Sequence, residues 1–137
     1  MRRQTEERGG ATVELVLLTP ALLVLLVVVV AGVRMVATRG DLDTAAREAA
    51  RAGSIATSPA AAQIAATDAA RAALTDRQLN CPAPKVDVDV TRFAPGGTVA
   101  VTVSCAVGLA DLGIPGLPGE RTIEARAVAP IDPLAVR

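Results

Sequence analysis

The chain has 137 residues, 51% of them apolar but with one Phe and no Tyr or Trp, and its 14 basic and 14 acidic side chains cancel. That length holds one small domain beside a membrane span and not two sizeable ones, and the balanced charge gives no electrostatic case for nucleic acid. Histidine is absent and Cys occurs twice, which excludes Ser-His-Asp and Cys-His catalysis and His-ligated or all-thiolate zinc, so we expect neither enzyme chemistry nor a cofactor or metal.

Residues 1–9 are polar, with Arg2, Arg3 and Arg8 set against Glu6 and Glu7. Too short to fold, they suit a cytoplasmic leader. Residues 15–33 form an uncharged run bounded by Glu14 and Arg34 and broken only by Thr19 and Pro20. As a helix they span about 28 Å, close to the roughly 30 Å hydrocarbon core of a bilayer. Pro20 has no amide N–H and is expected to bend this helix, a cost that the Thr19 hydroxyl or neighbouring helices lessen, though membrane helices also tolerate proline. The valine run over residues 24–30 suits both helix packing and lipid.

Glu14 is the sharpest candidate residue. A carboxylate at the edge of an apolar span is costly unless neutral or paired, whereas in the headgroup region of an ordinary anchor it costs little. The string Arg8-Gly9-Gly10-Ala11-Thr12-Val13-Glu14-Leu15 resembles the N-terminus of type IV pilin-like proteins: a short charged leader ending in glycine, cleavage, then a mature helix with glutamate fifth. A cut between Gly9 and Gly10 makes Glu14 the fifth residue, and a cut after Gly10 makes it the fourth. The longer pattern, from Gly10 through Glu14, Pro20 and the Val/Leu run to Arg39 and an Ala-rich helix, is similar to TadE-like proteins, the pseudopilins of tight-adherence (Flp) pilus systems. Leu15 stands where major Flp pilins carry an aromatic residue, which suits a TadE-like protein better.

That resemblance implies processing by a prepilin peptidase, pairing of Glu14 with the freed amine of a neighbouring subunit, and a structural role in pilus biogenesis as a minor pilin or pseudopilin. The implied partners are the peptidase, a companion pseudopilin, the major Flp pilin and the inner-membrane platform proteins. Arg34, Arg39, Arg47 and Arg51 follow the span closely, so basic residues alone leave the topology undecided. The N-terminus is assigned to the cytoplasm and the C-terminal domain to the outside of the cell membrane, because leader cleavage and an external disulfide require it.

After Gly40 the pattern becomes amphipathic. Asp41 is a possible cap, Leu42, Ala45, Ala49 and Ala52 recur at helical spacing, Asp43 and Arg47 form an i,i+4 pair, and Gly53 is a C-cap candidate. The membrane helix is expected to continue through this region as a stalk. A second helix starts with Ser58 as N-cap and Pro59 at the first position, and runs to about Leu79. Its alanine-rich face allows close helix contact, but its weak amphipathicity favours a spacer.

Beyond Cys81-Pro82-Ala83-Pro84 the apolar period becomes two. Val86, Val88 and Val90 alternate with Asp87, Asp89 and Thr91, and Val99, Val101, Val103, Cys105 and Val107 with Ala100, Thr102 and Ser104, on either side of an Ala94-Pro95-Gly96-Gly97 turn. This predicts a β-hairpin with one buried face. A Gly/Pro-rich connection from Gly108 to Gly119 leads to a third strand over residues 122–128, with Ile123, Ala125 and Ala127 inward. Alternation sets Asp87 and Asp89 on the solvated face, against a metal site. Cys81 and Cys105 are most simply a disulfide, and Phe93 near the hairpin tip is a contact or a core residue.

The fold class is therefore α+β: a long N-terminal transmembrane helix continuing as a stalk, a second Ala-rich helix, and a small antiparallel three-stranded sheet with one disulfide. Its expected divisions are a leader at 1–9, transmembrane helix and stalk at 10–52, second helix at 53–80 and an extracytoplasmic β domain at 81–137. Two rival readings stand beside the pseudopilin. One is a secreted binding module cut from a signal peptide after Val29-Val30-Ala31, although the apolar run exceeds the usual 7–15 residues. The other is a simple single-pass anchor. Only the pseudopilin reading requires Glu14.

Overall fold

The computed structural model describes residues 7–79, 81–108, 116 and 118–134, with side chains from Glu14 onward. Residues 1–6 of the expected leader and most of the connection between Gly108 and Gly119 lie outside the described residues.

Helix α1 (Glu7–Ser54) is unbroken over 48 residues, about 72 Å at roughly 1.5 Å per residue. The cap expected at Asp41 does not form. The helix passes straight through Gly40 because one interior glycine costs only about 1 kcal/mol, while Leu42, Ala45, Ala46, Ala49 and Ala50 just beyond it are buried and hold the helix in place. Gly53 is also not a C-cap: it lies inside the last turn of α1. A Cβ there would stand 3.1 Å from Val99 Cγ1 and 3.4 Å from Ala66 Cβ, so its small size is what lets the helix, the sheet and a second helix meet.

Helix α2 (Pro59–Asp76) begins as its sequence predicts, with the Ser58 hydroxyl accepting from the Ala61 amide at 3.2 Å and Pro59 in the first turn. It ends three residues before the expected Leu79. There the chain turns at Gln78, whose φ is 52°, and the Leu79 amide returns to the Leu74 carbonyl at 3.2 Å. Ala62, Ala66, Ala70, Ala73 and Leu74 are buried along one face, and α2 packs closely on α1. The expectation of a spacer is thus overturned. Alanine contributes little to an apolar signal, yet a stripe of it lets two helices approach closely and form half of a core.

Strands β1 (Lys85–Arg92), β2 (Thr98–Gly108) and β3 (Glu120–Pro130) form an antiparallel sheet in the order β1-β2-β3. Val88, Val101 and Ala127 share one row and Val86, Val103 and Ala125 the next. The inward residues of β2 and β3 are buried as alternation predicts, and the valines of β1, an edge strand, are half-buried. At the hairpin tip, a Cβ on Gly97 would collide with the Arg92 carbonyl. The Gly97 carbonyl accepts from Ile131 at 2.9 Å and the Gly96 amide donates to the Ile131 carbonyl at 3.2 Å, which anchors a buried Ile131 over the end of the core.

Both helices cover the inner face of the sheet, α1 over β2 and β3 and α2 beside β1. Chain direction fixes the polarity of the domain. Met35 and Arg39 of α1 line one cavity with Arg121 and Ile123 of β3, while Gly53 meets Val99, which pairs with Ala129. Strand β3 therefore runs alongside α1 in the same sense. The ends of β2 and β3 at Gly108 and Glu120 lie toward the apolar half of α1, and the hairpin tip lies away from it.

Candidate functional site

From Glu14 to Val30 every side chain of α1 is exposed, and among the described residues no element packs against that stretch. A helix apolar all round belongs in lipid or among other helices, since each Leu or Val left in water forgoes about 1.5–3 kcal/mol. By length and composition this helix is able to cross a membrane. Glu14 stands at the start of the exposed stretch, one residue before Leu15, and is itself exposed. Gly9 and Gly10 also lie within α1, five and four residues before Glu14.

The hydroxyls within the apolar stretch and just beyond it bond inside the helix. Thr19 Oγ1 donates to the Leu15 carbonyl at 2.7 Å and Thr38 Oγ1 to the Arg34 carbonyl at 3.0 Å. Pro20 removes the amide that would meet the Val16 carbonyl, and Thr19 reaches Leu15 rather than that freed oxygen. The helix stays continuous through the proline.

Cys81 and Cys105 are joined as a disulfide with their Cα atoms 5.6 Å apart. Cys105 is buried in the central strand, so the bridge fastens the link between α2 and β1 onto the middle of the sheet. Asp87 and Asp89 do not converge on a site. The Asp89 carboxylate accepts from the Thr91 hydroxyl at 2.7 Å and the Thr91 amide at 2.9 Å. Those two bonds, and more weakly the charges of Arg126 and Arg92, hold it below its ordinary value of 3.8. Phe93 is half-buried and packs against the core.

Arg77, just past the end of α2, carries a role that the sequence reading missed. Its guanidinium meets Asp41 Oδ1 at 3.4 Å and Glu48 Oε1 at 3.3 Å, two carboxylates two turns apart on α1. Asp41 thus clamps the helix pair instead of capping a helix, and the expected Asp43–Arg47 pair is not among the ion pairs of the described residues. The available signal was the seven-residue spacing of the two acids, which marks one helix face.

Compared with known families, residues 9–51 match the family described as TadE-like protein, a span that falls wholly within α1 and includes Gly9, Gly10, Glu14 and Pro20. No curated protein and no solved structure matches the chain.

Proposed function

With its residues 9–51 TadE-like, we propose that this protein is a structural component of Tad (Flp) pilus biogenesis: a minor pilin or pseudopilin trimmed by a prepilin peptidase and held in the cell membrane by α1. The observation that carries the reading is the bare apolar half of α1 with Glu14 at its edge, inside the matched span.

Gly9 and Gly10 suit a peptidase. Two adjacent glycines each weaken a helix by about 1 kcal/mol, so the helix opens locally at their bond at low cost. Cleavage there leaves an ammonium on Gly10, four residues before Glu14 and so about 6 Å along the same helix face. In lipid each charge needs a partner, since an isolated one is strongly disfavoured. Pairing between the amine of one subunit and Glu14 of the next would then set the axial register of packed helices. A disulfide in the folded domain is in keeping with an oxidising compartment outside the cytoplasm, and hence with a cytoplasmic N-terminus.

Mass spectrometry of the N-terminus of the protein isolated from its native cell tests the proposal. A chain starting at Gly10, or at Ala11 if the second glycine is the one removed, is the expected result. A start at Gly32 would identify a secreted module, and an intact Met1 or Arg2 a plain anchor; either outcome overturns the proposal.

A further inference from the structure

The cavity between α1 and β3 lies at the membrane end of the domain and is lined by Met35, Arg39, Arg121, Thr122, Ile123 and Glu124, with a volume of about 360 Å³. Two elements each bring it a guanidinium. Arg39 is four residues after Met35 and three before Leu42, on the helix face that turns toward the sheet, and Arg121 shares the inward row of β3 with Ile123. Both side chains are exposed, and neither forms an ion pair among the described residues. Of the acids of this region, Glu124 lines the same cavity, Asp43 lies further along α1, and Glu120 begins β3 one residue before Arg121. The lining of the cavity thus sets two guanidiniums against one carboxylate.

Depth selects the occupant. Arg39 follows Val33 by six residues, about 9 Å of helix, which carries it past the hydrocarbon edge and into the headgroup layer when residues 15–33 fill the core. Since Arg121 lines the same cavity, it reaches the same layer. The geometry points to a lipid site: Arg39 and Arg121 together bind the phosphate of an anionic phospholipid headgroup, with the Thr122 hydroxyl as a further donor. Guanidinium pairs suit phosphate oxygens through their fixed N–H forks. Arginine close behind the span has a use here whichever leaflet it faces, which accounts for basic residues that do not by themselves report orientation. The inference rests on α1 crossing a bilayer.

The test uses the full chain. Native mass spectrometry from detergent micelles containing equal phosphatidylglycerol and phosphatidylcholine reads which lipid stays bound, and alkaline extraction from vesicles reads insertion separately. We expect retained phosphatidylglycerol in the wild type, and a preference lowered by about thirtyfold in the Arg39→Gln, Arg121→Gln double variant, given roughly 1 kcal/mol per arginine near an anionic surface. The Arg39→Lys, Arg121→Lys variant keeps the charge without the N–H forks and is expected to keep part of the preference, more than the Gln variant, which separates lost binding from lost folding. Arg71→Gln, on α2, is expected to change nothing. A chain that resists extraction but shows no lipid preference, or the same preference in the Gln variant, overturns the lipid site and leaves the membrane span standing. A chain released by alkali overturns both.

Discussion

At the scale of single residues, the positions that decide this fold are small or shared. Gly53 has room for a hydrogen where three elements converge, with Val99 Cγ1 at 3.1 Å from any Cβ placed there. Gly53→Val is therefore expected to lower stability by about 1–3 kcal/mol through overpacking, read as a shift in the urea midpoint of the full chain in micelles. Asp89 makes a prediction in pH. Its carboxyl titrates below its ordinary 3.8 because the folded chain offers the Thr91 hydroxyl and amide to the charged form. A depressed folded value means that the stabilisation is present above 3.8 and is lost as pH falls through the lower folded value. The difference in melting temperature between wild type and Asp89→Asn should accordingly hold steady from neutral pH to about 5 and close in more acidic solution; a difference that grows on acidification would contradict the assignment.

At the scale of elements, what was legible in the sequence is what depends on one element alone. Alternation in residues 99–107 and 123–127 named the buried face of β2 and β3 correctly, because a period of two reports a sheet face without reference to a partner. Ser58 and Pro59 located the start of α2 for the same reason. The reasons for Gly53, Ala66 and Arg77 were not legible, since each lies in an element distant along the chain: Gly53 in the approach of Val99, Ala66 in the approach of Gly53, and Arg77 in a face of α1 carrying Asp41 and Glu48. Around Glu14 the residue types were plain from the sequence, and the structure adds that from Glu14 to Val30 none of the described residues covers them. The close packing of α2 is open to measurement. Ala66 is fully buried and Ile64 is 65% exposed, so Ala66→Leu should cost about 1–3 kcal/mol while Ile64→Ala stays within about 0.5 kcal/mol, both by urea unfolding.

At the scale of the molecule, the core is thin. Its largest fully buried side chains are Leu42, Ile131, Val99, Val101, Val103 and Cys105, and the remainder is mostly alanine. A domain with so little apolar volume leans on its covalent tie, which joins Cys81 and Cys105 across a separation of 24 residues. Replacing both cysteines with alanine is expected to lower stability by about 3 kcal/mol in the chain-entropy account, checked by comparing urea midpoints of the oxidised wild type and the double variant. A negligible shift would mean that the helix pair suffices to hold the sheet.

The unbroken course of α1 makes the anchor and the domain one mechanical part. Leu42 to Ala50, which build the core, belong to the same rod as Leu15 to Val30, and no loop intervenes to act as a swivel. Torque applied at one end is thus passed to the other through helix backbone instead of being taken up by a loop. Each residue of that rod sets an angular phase of about 100° and an advance of about 1.5 Å, so the spacing between Glu14 and Leu42 dictates which way the domain points whenever the lower half is gripped by its neighbours.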